Sequence, residues 1–162
     1  MMNTLTRHGA KALLALAFAC LPTAQASAQQ ARITNLSDID FGDVGGALSD
    51  VSDAQNLCVY ASGASYSITA TGSGNGGAFV LRNGSRTLPY QVQWGFGSGM
   101  TSGLALQPGQ PRNGDITGLS NLFCYFGWGS SASLIVTLRS SDIGTAAAGN
   151  YSGTLTLMVA PQ

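Results

Sequence analysis

Leu88-Pro89-Tyr90-Gln91-Val92-Gln93-Trp94-Gly95-Phe96 is the stretch that decides the fold class. In an extended chain Leu88, Tyr90, Val92, Trp94 and Phe96 share one face, while Gln91 and Gln93 turn to water. That period of two belongs to a half-buried strand and not to a helix. The same alternation recurs at the end of the chain, where Leu155, Leu157 and Val159 interleave with Thr154, Thr156 and Met158. Residues 66–70, 78–82, 122–126 and 134–138 read as further strands. Near the start, Ile39 and Phe41 alternate with Asp38 and Asp40. No segment after the leader holds a helical period for more than one turn.

Turn chemistry separates these runs. Glycine-rich clusters lie at 72–77 and 97–99, and Gln107-Pro108-Gly109-Gln110-Pro111 marks another reversal. Asn83-Gly84 is a hairpin signal, because both central positions of a type I′ turn require positive φ. Seven or eight short strands with turns every 8 to 12 residues imply an all-β, antiparallel immunoglobulin-like sandwich. No linker divides the chain, so a single domain is expected.

Composition narrows the function. The chain has 162 residues with 7 basic and 7 acidic side chains, and only 9% of it is charged. A basic nucleic-acid binder and a charge-laced coiled coil are excluded on that count. Every acid is an aspartate, and the only lysine and histidine, Lys11 and His8, lie in the first eleven residues. There, Arg7, His8 and Lys11 precede an apolar run from Ala12 to Leu21 that Pro22 breaks, and Ala26-Ser27-Ala28 follows. A positive start, a short apolar core and an A-x-A site describe a secretory signal peptide over residues 1–28. The apolar run is too short to span a bilayer, and the residues before Cys20 do not suit a lipoprotein cleavage site. The domain then occupies residues 29–162, exported and not integral to a membrane. It retains Cys58 and Cys124, an even count that in an oxidising compartment implies a disulfide. Two free thiols or a metal pair are the rival reading, weakened by the lack of C-x-x-C spacing and of any histidine after the leader.

Catalytic machinery is missing by residue type. Without histidine or lysine there is no imidazole for a triad and no amine for a Schiff base. Paired aspartates remain, but the nearest approach to an Asp-Ser/Thr-Gly signature is Asp142-Ile143-Gly144. The chain reads as a non-enzyme without metal or cofactor. Asp40-Phe41-Gly42 spells a kinase triplet without its lysine or catalytic loop. The glycine cluster at 72–77 joins strands and opens no helix, so it lacks the dipole of a phosphate loop. Asp38, Asp40, Asp43, Asp50 and Asp53 offer no bidentate glutamate for a calcium loop and read as turn and strand-face residues.

Two features point outward instead. Trp94 lies on an apolar strand face and belongs to the core. Trp128, between Gly127 and Gly129, stands either at an exposed tip, able to stack on a sugar or insert into a surface, or folded back over the sandwich end. The last strand, carrying Leu155, Leu157 and Val159, has only Pro161 and Gln162 beyond Ala160. An edge left unpaired there is a template for strand addition by another chain.

Ile39-Asp40-Phe41-Gly42, Cys58-Val59-Tyr60, Leu88-Pro89-Tyr90-Gln91-Val92 and Gly149-Asn150-Tyr151-Ser152-Gly153-Thr154-Leu155-Thr156-Leu157 together resemble the spore coat protein U domain, over roughly residues 33–160. That family includes the secreted subunits of archaic chaperone–usher pili, which act in attachment and biofilm formation. The resemblance implies an immunoglobulin-like sandwich lacking its last strand. A periplasmic chaperone fills the gap first, the outer-membrane usher receives the subunit, and a neighbouring pilus subunit's N-terminal extension then replaces the chaperone. It places the chain in the periplasm in transit and at the cell surface afterwards. Here only residues 29–38 precede the first matching segment, so the resemblance implies a subunit that accepts a strand without donating one, at a terminal or minor position. Gly153 stands where the family usually has aspartate. A self-contained binding module using Trp128, and a coat protein that never polymerises, are the competing readings.

Overall fold

A computed structural model describes residues 29–63, 65–115 and 118–162. The expected leader over residues 1–28 lies outside the described residues. Ten strands form: β1 (Ala31–Thr34), β2 (Val51–Ala61), β3 (Ser65–Gly72), β4 (Val80–Asn83), β5 (Arg86–Pro89), β6 (Gln91–Gly95), β7 (Leu104–Ala105), β8 (Arg112–Asp115), β9 (Ala132–Leu138) and β10 (Leu155–Pro161). Among the described residues two short α-helices, α1 (Gly118–Tyr125) and α2 (Ser140–Thr145), and a 3-10 turn at Asn75–Gly77 interrupt them.

Every strand pairing is antiparallel, as the period of two requires of a sheet with one wet face. One sheet runs β1-β2-β9-β6-β7 and the other β10-β3-β8, with β4 and β5 as a separate hairpin. In an immunoglobulin sandwich the order A-B-E-D makes one sheet and the C, F and G strands the other. β1, β2, β9 and β6 take the first set of places in both chain order and space, and β3 and β10 take those of C and F. Tyr151, just before β10, donates its hydroxyl proton to the Ala147 carbonyl at 2.9 Å. A tyrosine bonded to backbone a few residues upstream, at the entrance to strand F, is the tyrosine corner of these folds. Two independent features therefore put β10 in the F position.

The core lies between the sheets. Leu57, Val59 and Ala61 of β2, Leu134, Val136 and Leu138 of β9, and Val92 and Trp94 of β6 meet Tyr66, Ile68 and Ala70 of β3. The Trp94 indole N–H donates to the Tyr66 hydroxyl at 2.8 Å, with the rings edge to face at 6.5 Å. This bond links one sheet to the other where water is excluded. Tyr66→Phe leaves the buried indole donor without this acceptor, so it should cost about 1–3 kcal/mol. A lowered urea midpoint at unchanged slope is the expected readout.

Several sequence expectations are corrected here. Residues 88–96 do not form one strand: they cross from β5 into β6, with Tyr90 between them bonded to the Phe79 carbonyl. The alternation survives that switch, for Leu88, Tyr90, Val92 and Trp94 are all buried. Phe96 lies beyond β6, partly exposed, with its ring against Tyr66 and over Gly114, where a Cβ would collide with it. The β4–β5 turn is Gly84-Ser85 rather than Asn83-Gly84, since Asn83 pairs with Arg86. Only Gly84 has positive φ (+60°), the pattern of a II′ turn.

Ile39 and Phe41 do pack on the core while Asp38 and Asp40 face out, yet they join no ladder. The Asp40 carboxylate accepts the Gly42 N–H at 2.8 Å, and Gly42 has a φ of +63°, so the chain turns there instead of pairing. Residues 122–126, expected as a strand, belong to α1 and its end. Their neighbourhood carries a helical signal after all: Leu119, Leu122, Phe123 and Phe126 recur at i, i+3, i+4 and i+7. α2 was not expected either. It holds Asp142-Ile143-Gly144, with Ile143 buried in the core.

Candidate functional site

Two places on the sandwich leave apolar groups unsatisfied. The first is the border formed by β10 and β1. β10 pairs with β3 on one side, in the register Leu155↔Gly72, Leu157↔Ala70 and Val159↔Ile68. β1 pairs with β2, and its other edge likewise has no ladder partner among the described residues. Leu155, Leu157 and Val159 share the core-facing side with Ile68 and Ala70. Those β3 residues are wholly buried, whereas the three β10 residues remain partly exposed. Met158 on the opposite face stands in solvent. The core is thus closed along β3 and open along β10, on the side where an immunoglobulin sandwich carries strand G.

The border is also narrow. A strand paired to both edges needs them about 9.6 Å apart, twice a ladder spacing of about 4.8 Å. β1 and β10 approach within 8 Å between Cα atoms, so accommodating a strand there requires them to part by a few ångströms.

The second place is α1, which the fold holds with polar and covalent links. Cys58 of β2 and Cys124 of α1 form a disulfide across 66 residues. The Asn121 amide lies against the backbone of Ala61, accepting its N–H at 3.1 Å and donating to its carbonyl at 2.9 Å. Arg32 of β1 donates to the carbonyls of Cys124 at 2.8 Å and Tyr125 at 2.7 Å. A cation on the last carbonyls complements the helix dipole. The helix ends in a Schellman turn: Trp128 N–H bonds to the Phe123 carbonyl at 2.8 Å, and Gly127 N–H to that of Cys124 at 3.2 Å. Gly127 has φ +81°, which that turn demands and a side chain would resist.

Over residues 120–125, α1 buries Cys124, and Ser120 and Asn121 are partly covered. What it exposes is apolar. Leu122, Phe123, Tyr125 and Phe126 are each about half exposed, and Trp128 is 69% exposed. Trp128 therefore stands out from the sandwich end and does not fold back over it. Ring centroids run from Tyr60 to Tyr125 at 5.2 Å, on to Phe126 at 5.2 Å and to Trp128 at 5.9 Å. Tyr60, Tyr125, Phe126 and Arg32 were not singled out in the sequence. The helical spacing of 119–126, and the absence of any charged residue between Asp115 and Arg139, are the signals that mark them.

Asp40, Asp43, Asp50 and Asp53 accept hydrogen bonds from backbone N–H groups. Asp43 accepts from Gly45 N–H. Asp50 accepts the Ser140 N–H at 2.9 Å and its hydroxyl at 3.1 Å, holding the start of α2. Those bonds, with Arg139 nearby, keep the Asp50 carboxyl below the usual carboxylate range. Among the described residues no three histidine, cysteine, aspartate or glutamate side chains gather as metal ligands, and no helix is long and apolar enough to cross a membrane.

No family model and no curated protein matches the chain. Solved structures do. A chain of the chaperone–tip adhesin complex of CFA/I fimbriae biogenesis is similar at 16% identity and a TM-score of 0.55, over 82% of this chain and 42% of that one. The chaperone–tip adhesin subunit pre-assembly complex CsuC–CsuE, from the archaic chaperone–usher Csu pili of Acinetobacter baumannii, is similar at 17% identity and a TM-score of 0.48, over 82% and 39%. This chain spans less than half the length of each. At such identity the first likeness is one of fold: an all-β sandwich of the kind found in a chaperone–tip adhesin complex.

Proposed function

We propose that this chain is an exported structural subunit of a cell-surface pilus or fibre, assembled by strand donation and acting in attachment or biofilm formation. The observation that carries the reading is the open border: Leu155, Leu157 and Val159 half-covered on an F strand whose second edge is unpaired. A donor strand would add main-chain hydrogen bonds along β10 and seat alternate apolar side chains over those three residues. A periplasmic chaperone would supply that strand first and a neighbouring subunit afterwards, with an outer-membrane usher between the two. The likeness of fold to a chaperone–tip adhesin complex and the disulfide support this reading; the spore coat protein U resemblance is matched by no family model.

Periplasmic expression with and without the cognate chaperone tests the reading. The chain alone should accumulate in low yield as a marginally stable monomer, and co-expression should raise the yield at least tenfold and give a soluble one-to-one complex. Leu157→Asp should abolish that rescue while a Met158→Asp control keeps it. A yield and a melting midpoint that the chaperone leaves unchanged overturn the proposal.

A further inference from the structure

We infer that the outward face of α1, with the cavity beside it, binds a neutral oligosaccharide. This inference does not rest on strand donation. Tyr60 and Cys58 project from the face of β2 opposite its core residues, whereas a donor strand would act at the border of β1 and β10.

The helix is amphipathic in the inverted sense. Ser120, Asn121 and Cys124 face the sheet, while Leu122, Phe123 and Phe126 face water, followed by Trp128. A surface helix ordinarily does the reverse, because burying the apolar stripe is what holds it. Here a disulfide, the Asn121 pair, the Arg32 cap and the Schellman turn hold the helix, so the stripe is free for another use. Contiguous exposed apolar groups rimmed by polar ones mark an interaction site.

The chemistry of the occupant follows from what surrounds the rings. No charged residue lies between Asp115 and Arg139, and Arg32 holds the Cys124 and Tyr125 carbonyls through one of its guanidinium nitrogens. The ring stripe offers an ionic ligand no charged side chain, and the cavity beside it offers only Arg32. Next to the rings is a cavity of about 390 Å³ lined by Gln29, Gln30, Ala31, Arg32, Tyr60 and Tyr125. That size is at the small end of ligand pockets, and its lining mixes ring surface with amide groups. A wholly apolar partner would strip water from Gln29 and Gln30 and return no hydrogen bond, which is unfavourable. A pyranose ring returns both: its C–H face stacks on an aromatic face, and its hydroxyls exchange hydrogen bonds with the amides. Four rings in succession, from Tyr60 to Trp128, extend the platform beyond a single sugar unit.

The two tryptophans make the test direct, because Trp94 is wholly buried and Trp128 is not. The full oxidised chain is titrated with cellopentaose, xylopentaose, mannopentaose, maltopentaose and chitopentaose while its emission is followed. At least one should shift the emission to the blue with a dissociation constant at or below the millimolar range. Trp128→Phe should remove the spectral shift and retain binding by calorimetry. Trp128→Ala and Phe126→Ala should each weaken binding tenfold or more at unchanged melting midpoint. Met158→Ala, exposed on β10, should change nothing. Three results overturn the inference: no response to any of the five sugars, a response indifferent to Trp128→Ala, or a patch that acts only in Trp128-dependent self-association or retention on a phenyl resin.

Discussion

Joining an alternating strand to Gln162 through a short glycine-containing loop should raise the thermal midpoint of this protein by about 10 °C. The hairpin so formed runs antiparallel to β10, as strand G does to strand F. Three apolar residues at every second position would lie over Leu155, Leu157 and Val159. Each such side chain contributes about 1.5–3 kcal/mol when fully buried. Ordering the added backbone opposes this, and the new ladder bonds together with burial of the exposed parts of Leu155, Leu157 and Val159 offset most of that cost. A net gain of about 3 kcal/mol remains, and for a domain of this size that corresponds to the shift named above.

The control is the same strand with its pattern moved by one residue, which turns every apolar group to solvent. If the open core along β10 is the cause, the shifted strand should add no more than about 2 °C. Equal effects from both strands would mean that tethering alone stabilises the chain, and the acceptor role of β10 would fall. Differential scanning calorimetry on the two fusions and the parent separates these outcomes. The expected enthalpy is also larger for the correct register, because β1 and β10 must part and then close on the inserted strand.

The period of two made the sheet class readable, since it reports burial and burial is what the sandwich enforces. It did not reveal where one strand stops and the next begins. Residues 88–96 alternate without a break through Tyr90, because both β5 and β6 present the same side to one core. Ile39 and Phe41 show the same limit from the other direction: their alternation marks burial correctly, but a ladder also needs a partner, and the Asp40–Gly42 turn removes it. The half-covered face of β10 was legible in the Leu155-Leu157-Val159 alternation. The aromatic platform was legible only in Trp128. Reading 122–126 as a strand follows from expecting apolar residues to mark the inside. α1 breaks that expectation, because its attachment is covalent and polar and its apolar side faces out.

That attachment makes loss of the disulfide a local event with a large energetic effect. Cys58→Ala, Cys124→Ala and the double substitution should each destabilise the protein by about 4 kcal/mol by the loop-entropy estimate for a 66-residue closure. Since all three remove one and the same bridge, the double variant should be no worse than either single one. The damage should concentrate in α1, because Cys124 is its one side chain known to be fully buried and the exposed stripe lends it no core packing. Without the bridge, the Arg32 and Asn121 contacts must hold the helix alone, and each such hydrogen bond contributes only about 0.5–3 kcal/mol. Amide exchange should then be fast through residues 118–128 and remain slow in β9, where every residue is buried. Exchange followed by mass spectrometry, before and after reduction of the native protein, reads this directly. Protection of α1 equal to that of β9 after reduction would show that packing holds the helix, and would remove the reason for regarding its outward rings as free for a ligand.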